Sequence, residues 1–343
     1  MALPVSVLAS LPVTGPPVAG AAMPDYHAVD LDGLVVDSVL DFNLYLTAGR
    51  GRYVFFRSPK LPFTVQHRNR LLEHDVRTVF IRSEERDHYT RYLEQNIGAV
   101  LANPEVPTRK KATLLYSVTK HAVHDAFEEP RAQTILPRTK RLASETVDFV
   151  LRSDRALVQL ASVMATDYYT YTHSINVCVF AVALAHRLGV SRDDIGELAT
   201  GALLHDLGKS LVPRELLTRV GPLSDEEMEI MRGHVLLGEQ LLGEHGGIGP
   251  LGMFAVSLHH EKLNGAGYPR RLSGDAIHLF GRVAAIADCF DAMTTNRSYQ
   301  RALSPFDALQ RMRSSLGEQF DQSLLEQFIR MLRAPDGLMH QAS

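Results

Sequence analysis

The chain has 343 residues, with 36 basic and 39 acidic side chains, a formal net charge of −3 and 45% hydrophobic residues. That length exceeds one ordinary core of about 100–200 residues, and the near-neutral balance excludes the global basic field that long nucleic acid requires. No run of about 18 apolar residues is present to span a membrane, and two cysteines, Cys178 and Cys289, cannot build a disulfide framework, which points to a reducing, cytoplasmic setting.

Met1–Pro24 carries no charge and is punctuated by Pro4, Pro12, Pro16, Pro17 and Pro24, so residues 1–25 read as a flexible tail rather than a signal peptide. Residues 26–105 read as a small α/β module. Val35-Val36 and Asn43 to Phe56 are expected as strands, with a hairpin turn at Ala48-Gly49-Arg50-Gly51. Thr64 to Asp75 reads as a helix, Thr78 to Ile81 as a strand and Ser83 to Leu101 as a second helix. No chemistry is recognisable in this module, and a regulatory or dimerisation role is the expectation.

Pro104 and Pro107 open a helical linker, residues 106–145. Lys110 to Phe127 is helical, Glu129-Pro130 interrupts, and a helix then runs from Thr134 to about Met164 on Leu142, Val147, Val150, Leu157, Leu160 and Val163. Such helices either pair across a dimer or pack back on their own domain. Residues 146–333 read as nearly all helix, and 334–343 as a tail. Ser224 to Glu227 is a capping box for a helix reaching about Leu242. Ser304-Pro305 starts another, and Gly189, Gly208 and Gly243 stand where helices stop.

Single histidines mean little among fifteen, and the dipeptide His-Asp occurs three times, at His74-Asp75, His124-Asp125 and His205-Asp206. The third ends an apolar helix and is followed by Gly208-Lys209. Around it His173, His234, His259-His260 and Asp288 are spaced by 25 to 32 positions, one helix and a connection each. Taken singly, each histidine reads as a satisfied core or surface residue. Together, five histidines and two aspartates in apolar helices are too costly to bury unpaired, and a metal cluster inside a bundle resolves that cost. The donors are all nitrogen and oxygen, which favours iron, manganese or zinc over soft-metal sites.

These residues, in the runs His173-Ser174, His205-Asp206-Leu207-Gly208-Lys209, His234, His259-His260-Glu261, Gly265-Ala266-Gly267-Tyr268-Pro269 and Asp288-Cys289-Phe290-Asp291-Ala292, resemble the HD-GYP family, a branch of the HD-domain phosphohydrolases. The resemblance covers roughly residues 146–333 and implies a fold that is α+β overall, the small module joined by a helical linker to an all-α HD-type bundle. It implies hydrolysis of cyclic di-GMP to linear pGpG and on to GMP, by a metal-bridging hydroxide. The implied ligands are His173, His205, Asp206, His234, His259, His260 and Asp288, with Asp206 bridging and Lys209 at the scissile phosphate. Tyr268, Gly267 and Arg297 are implied to meet substrate, and Asp291, Glu261 and Asn264 to support the ligands from behind. The Gly-Tyr-Pro loop is implied to meet diguanylate cyclase partners, and a homodimer is expected.

Three positions depart from the family. Asn264 replaces the usual Asp before Gly265. Tyr169 stands where three-metal members carry Glu, so two cations are expected, iron or manganese ahead of zinc. Arg297-Ser298-Tyr299-Gln300 lacks the following basic residue, which appears one place later as Arg301. Asn264 and Gln300 leave open a catalytically weak cyclic-dinucleotide receptor or cyclase-interaction module, and base preference leaves open hydrolysis of another cyclic dinucleotide.

Overall fold

The computed structural model describes residues 25–49, 51–164, 170–219, 221–296 and 301–333. The chain divides into two compact units, Met1–Leu114 and Leu115–Ser343.

In the first unit, strands β1 (Tyr26–Asp30), β3 (Leu44–Gly49), β4 (Arg52–Arg57) and β6 (Thr78–Arg82) form one sheet in the order β1-β6-β3-β4. Every pairing in it is antiparallel. A two-stranded sheet joins β2 (Ser38–Val39) to β5 (Pro62–Phe63). The β3–β4 hairpin turns where expected, with Gly49 and Gly51 at φ 80° and 71°, a region that glycine enters at little cost. Helices α1 (Val65–Glu73) and α2 (Arg86–Ala102) complete the unit. Helix α2 buries Tyr89, Tyr92, Leu93 and Ile97, and Phe42 meets both tyrosines edge-on, at 5.6 and 5.4 Å. Val35-Val36 are not a strand. The Val35 amide donates to the Tyr92 hydroxyl and its carbonyl accepts from Ser38 Oγ, which makes a turn instead of a ladder.

The second unit begins within α3 (Thr108–Glu128) and is helical throughout its described residues. It continues with α4 (Ile135–Leu151), α5 (Asp154–Val163), α6 (Thr170–Arg187), α7 (Arg192–Leu204), α8 (Arg214–Leu217), α9 (Asp225–Arg232), α10 (His234–His245), α11 (Pro250–Leu258), α12 (Leu279–Thr294), α13 (Pro305–Ser314) and α14 (Gln322–Arg333). Helix α6 is buried on all sides from Thr172 to Ala185, the pattern of a central helix. It packs on α7 and α12, while α4 and α11 cover other faces of α7. Ala126, Ile135, Leu136, Leu204, Leu207, Leu241, Leu242 and Val256 form a core cluster. Leu204 and Leu207 of that cluster bracket His205 and Asp206, so the dipeptide is fixed by apolar packing on both sides.

Two expected helices are broken. The run from Thr134 stops at Leu151, because Ser153 turns extended and its Oγ caps the Ala156 amide of α5. The helix opened by Ser224 and Glu227 has its reciprocal capping bonds but ends at Arg232, and Gly233 separates it from α10. Gly243 lies inside α10, which stops before Gly246 at φ 66°. Ser304 and Pro305 start α13 as read, the Ser304 side chain accepting from the Asp307 amide.

Candidate metal centre

The last turn of an α-helix leaves carbonyls without amide partners. Three histidines of this chain stand directly after such ends and use them. His205 follows α7 and sends Nδ1–H to the Ala202 carbonyl at 2.8 Å. His234, just beyond the end of α9, does the same to Met231 at 2.7 Å, and His259, at the end of α11, to Val256 at 2.8 Å. Each bond spends the ring's single proton, so each neutral imidazole presents a bare Nε2. His173, within α6, spends its Nδ1 proton on Asp291 Oδ2 at 2.7 Å. The negative ends of three helices therefore converge with the imidazoles on one point, a field that favours a cation.

Asp206 sits at that point, 1% exposed. Its Oδ1 lies 3.3 Å from His234 Nε2 and 3.9 Å from His259 Nε2. Its Oδ2 lies 3.4 Å from His205 Nε2, 3.8 Å from His173 Nε2 and 2.6 Å from Lys209 Nζ. Each carboxylate oxygen thus faces its own group of imidazoles. Asp288 bridges the two groups from the other side, 3.0 Å from His173 Nε2 through Oδ1 and 3.6 Å from His260 Nδ1 through Oδ2.

The donor set fits divalent cations on three observations. His205 Nε2 and Asp206 Oδ1 are buried with no hydrogen-bond partner, a cost proteins seldom carry unused. His234 Nε2 and His259 Nε2 face each other at 3.4 Å, while the Nδ1 of each is engaged with a backbone carbonyl. The side chains also fall into two overlapping sets of ligand atoms, His173–His205–Asp206 and Asp206–His234–His259–His260, in which all members lie within 4.8 Å of one another.

The protonation states suit this role. Burial would raise the Asp206 carboxyl, yet the Lys209 ammonium and His205 outweigh it and hold it well below the usual range. Asp288 is likewise held low against burial, chiefly by the neighbouring His173 imidazole. Burial keeps His259 neutral and pushes His260 down to about 3. A deprotonated carboxylate and a neutral imidazole are the forms that bind metal.

The structure brings all seven expected ligand side chains together, with Lys209 beside them. Tyr268 stacks on His260 at 4.6 Å, and the Arg232 guanidinium covers the tyrosine ring at 5.6 Å. Burial raises the Tyr268 phenol, so it stays protonated. Three expectations need correction. Gly267 is buried against the backbone of His260 and Glu261, where a Cβ would come within 2.6 Å of the His260 carbonyl oxygen, so close approach of two backbone segments explains this glycine. Asn264 is exposed and accepts the Ala266 amide, which uses its side chain in a local turn. Glu261 is buried and its carboxylate is engaged with backbone amides. It accepts the amides of Arg270 and Leu272 at 2.7 and 2.9 Å and so closes the loop that carries Tyr268. Arg297, Gln300 and Tyr169 lie outside the described residues.

Sequence reading missed Asn176, which donates to Asp291 Oδ1 at 2.8 Å, and Tyr116, whose hydroxyl meets Asn176 Oδ1 at 3.3 Å. The available signal was a buried asparagine three places after His173 in an otherwise apolar helix.

No described helix is long and apolar enough to cross a membrane. A cyclic di-GMP phosphodiesterase of Pseudomonas aeruginosa is 33% identical over 225 residues, 64% of this chain and 54% of that protein. A 3'3'-cGAMP-specific phosphodiesterase 2 of Vibrio cholerae is 32% identical over 182 residues, 52% of this chain and 35% of that protein. The chain spans about half the length of the first and about a third of the second. Bd1817, an HDG"Y"P protein from Bdellovibrio bacteriovorus, shares the fold, with a TM-score of 0.64 at 21% identity over 90% of this chain and 100% of that one. Residues 141–324 match the family described as HD domain. That match covers more than half of the sequence and every member of the histidine–aspartate cluster, and the chain belongs to the HD domain family.

Proposed function

We propose that this chain is a cyclic-dinucleotide phosphodiesterase that opens cyclic di-GMP to linear pGpG and carries it on to GMP. The observation that carries the reading is the buried carboxylate of Asp206, with one oxygen toward each of two imidazole groups. In this reading His173, His205, His234, His259, His260 and Asp288 hold two divalent cations, iron or manganese before zinc, and Asp206 is shared between them. When bound, such ions neutralise charge on a phosphoryl group and acidify water.

The protein's own residues supply the rest. Lys209 Nζ, fixed by Asp206, adds a point charge where the phosphate lies. Asp291 and the three helix-end carbonyls hold the ligand imidazoles in one tautomer. The Tyr268 ring is held by His260 and Arg232, and its protonated phenol offers substrate a hydrogen-bond donor. The reaction is in-line displacement at phosphorus by water, releasing the ribose 3′-hydroxyl and leaving a 5′-phosphate. Cyclase partners, a homodimer and a cytoplasmic location, where Cys178 and Cys289 stay reduced, belong to the same reading.

A mixed cyclic dinucleotide is the second reading, favoured by the Vibrio cholerae relative named for 3'3'-cGAMP. The weak-receptor reading leans on Asn264, which is exposed and accepts the Ala266 amide within its own turn. The test is turnover by protein loaded with Mn2+ or Fe2+ on a panel of cyclic dinucleotides, with product analysis. Cyclic di-GMP is expected to turn over fastest, and Asp206→Ala is expected to lose turnover by more than about a thousandfold. Preference for 3'3'-cGAMP selects the second reading, and binding without turnover in the wild type refutes both.

A further inference from the structure

We propose that Asn176 and Tyr116 are positioning residues for the candidate metal centre, acting on His173 through Asp291. The inference rests on the two-cation reading above and extends it to residues that touch no ligand atom.

The four groups form one buried line of hydrogen bonds. His173 Nδ1 meets Asp291 Oδ2 at 2.7 Å. The Asn176 amide Nδ2 donates to Asp291 Oδ1 at 2.8 Å, and the Tyr116 hydroxyl donates to Asn176 Oδ1 at 3.3 Å. His173, Asn176 and Asp291 are each no more than 2% exposed, and Tyr116 is 7% exposed. The proton order along the line is fixed by its carboxylate. An ionised Asp291 only accepts, so Asn176 must turn its NH2 inward and its carbonyl outward, and the outward carbonyl requires a donor, which Tyr116 supplies. The same carboxylate holds the proton of His173 on Nδ1. That aims the Nε2 lone pair toward Asp288 Oδ1 at 3.0 Å and Asp206 Oδ2 at 3.8 Å, where a cation or a proton must sit between like lone pairs.

Three helices contribute to this line: Tyr116 from α3, His173 and Asn176 from α6, and Asp291 from α12. His173 and Asn176 are three positions apart, on one face of α6. With both carboxylate oxygens engaged, Asp291 has one orientation, and so does the imidazole it holds. His205, His234 and His259 lean on helix-end carbonyls. His173 alone among these four depends on a side-chain line for the same service. It belongs to the His173–His205–Asp206 set and not to Asp206–His234–His259–His260. Loosening the line should therefore weaken one cation site and spare the other.

The test is equilibrium Mn2+ binding, read by electron paramagnetic resonance as bound and free ion, on the full chain. Wild type is expected to show two sites. Asn176→Ala is expected to weaken one of them by about tenfold or more, the range for partners behind a metal ligand, and to leave the other unchanged. Tyr116→Phe, which keeps the ring and its packing, is expected to act on the same site and less strongly. Should Asn176→Ala fail to fold, Tyr116→Phe decides the matter alone. Two unaltered sites in both variants, or an equal loss at both sites, overturns the inference while leaving the two-cation reading standing. Wild-type protein that takes up no Mn2+ overturns the metal reading and this inference with it.

Discussion

Gly208→Ala tests the geometry of the site without replacing any of its histidines or aspartates. Gly208 lies in the 3-10 turn Leu207–Leu211, two places after Asp206 and next to Lys209. A Cβ there would overlap the His234 carbonyl oxygen and stand 2.5 Å from the Gly238 amide nitrogen and 2.9 Å from the His234 carbonyl carbon, against 3.4 Å for ordinary contact. All three atoms are backbone, so no side chain can swing aside. The turn and α10 must separate by roughly 1 Å in a close-packed interior. Overpacking of this kind costs about 3 kcal/mol or more, and a domain of this size loses roughly 2–4 °C of Tm per kcal/mol, so Tm should fall on the order of 6–12 °C. The same shift carries His234 away from Asp206 Oδ1, now 3.3 Å distant, and metal affinity should fall by at least about tenfold. Gly243→Ala is the control. That glycine lies within α10 with nothing near its absent Cβ, and the substitution should stabilise by about 0.5–1 kcal/mol. Urea unfolding of metal-free protein and Mn2+ titration read both effects. If Gly208→Ala matches wild type in midpoint and affinity, the close approach of the turn to α10 is not what aligns these groups.

Glu261→Ala should cost about 1–3 kcal/mol, because it removes the acceptor of the part-buried amides of Arg270 and Leu272. Glu261→Gln, which keeps one acceptor, should lose roughly half as much, both read by urea midpoint. Metal-free protein should lose stability as pH falls below 6.5, the ordinary imidazole value, because the unfolded chain then binds protons that buried His259 and His260 refuse. Each such proton contributes a slope of about 1.4 kcal/mol per pH unit, and for His260 the window closes near its folded value of about 3. Asp206 and Asp288, held below 3.8, add a further loss only beneath that pH. A flat urea midpoint between pH 6.5 and 4.5 would contradict the neutral, buried imidazoles. Saturating Mn2+ at about a hundredfold over Kd should stabilise the folded state by roughly 2.7 kcal/mol, and a chelator should reverse it. An unchanged Tm would mean that no cation binds the native state.

The clustering of these side chains was legible because their chemistry is written in residue type: histidine and aspartate in apolar helices leave few inexpensive arrangements. The hairpin at Gly49 and Gly51 and the capping box at Ser224 were legible because both are local. What was not legible depends on partners far along the chain. The break at Gly233 is invisible in an amphipathic run that continues through it, yet it is this break that sets His234 beside the Met231 carbonyl. Asn176 reads as one polar residue in an apolar helix until Asp291 arrives from 115 positions away. Val35-Val36 have the composition of a strand, and only the Tyr92 hydroxyl draws them into a turn.

The three His-Asp dipeptides show why spacing outweighs the dipeptide itself. His124 lies inside α3, where the carbonyls before it are committed to the helix. His74 does stand at a helix end, as the C-cap of α1, so a histidine at such an end is not sufficient. Its neighbour Asp75 is exposed, at φ 56°, and solvent satisfies the pair cheaply. Beyond His205, the end of α9 brings His234 and the end of α11 brings His259. Each ring is stripped of its free proton by its own helix and turned toward the same buried carboxylate. A single such end makes a capped helix. Three of them facing one Asp206, which also draws His173 and Lys209, make a cavity whose lone pairs have no neutral partner. The recurrence of histidine at helix-length intervals is the sequence trace of that convergence.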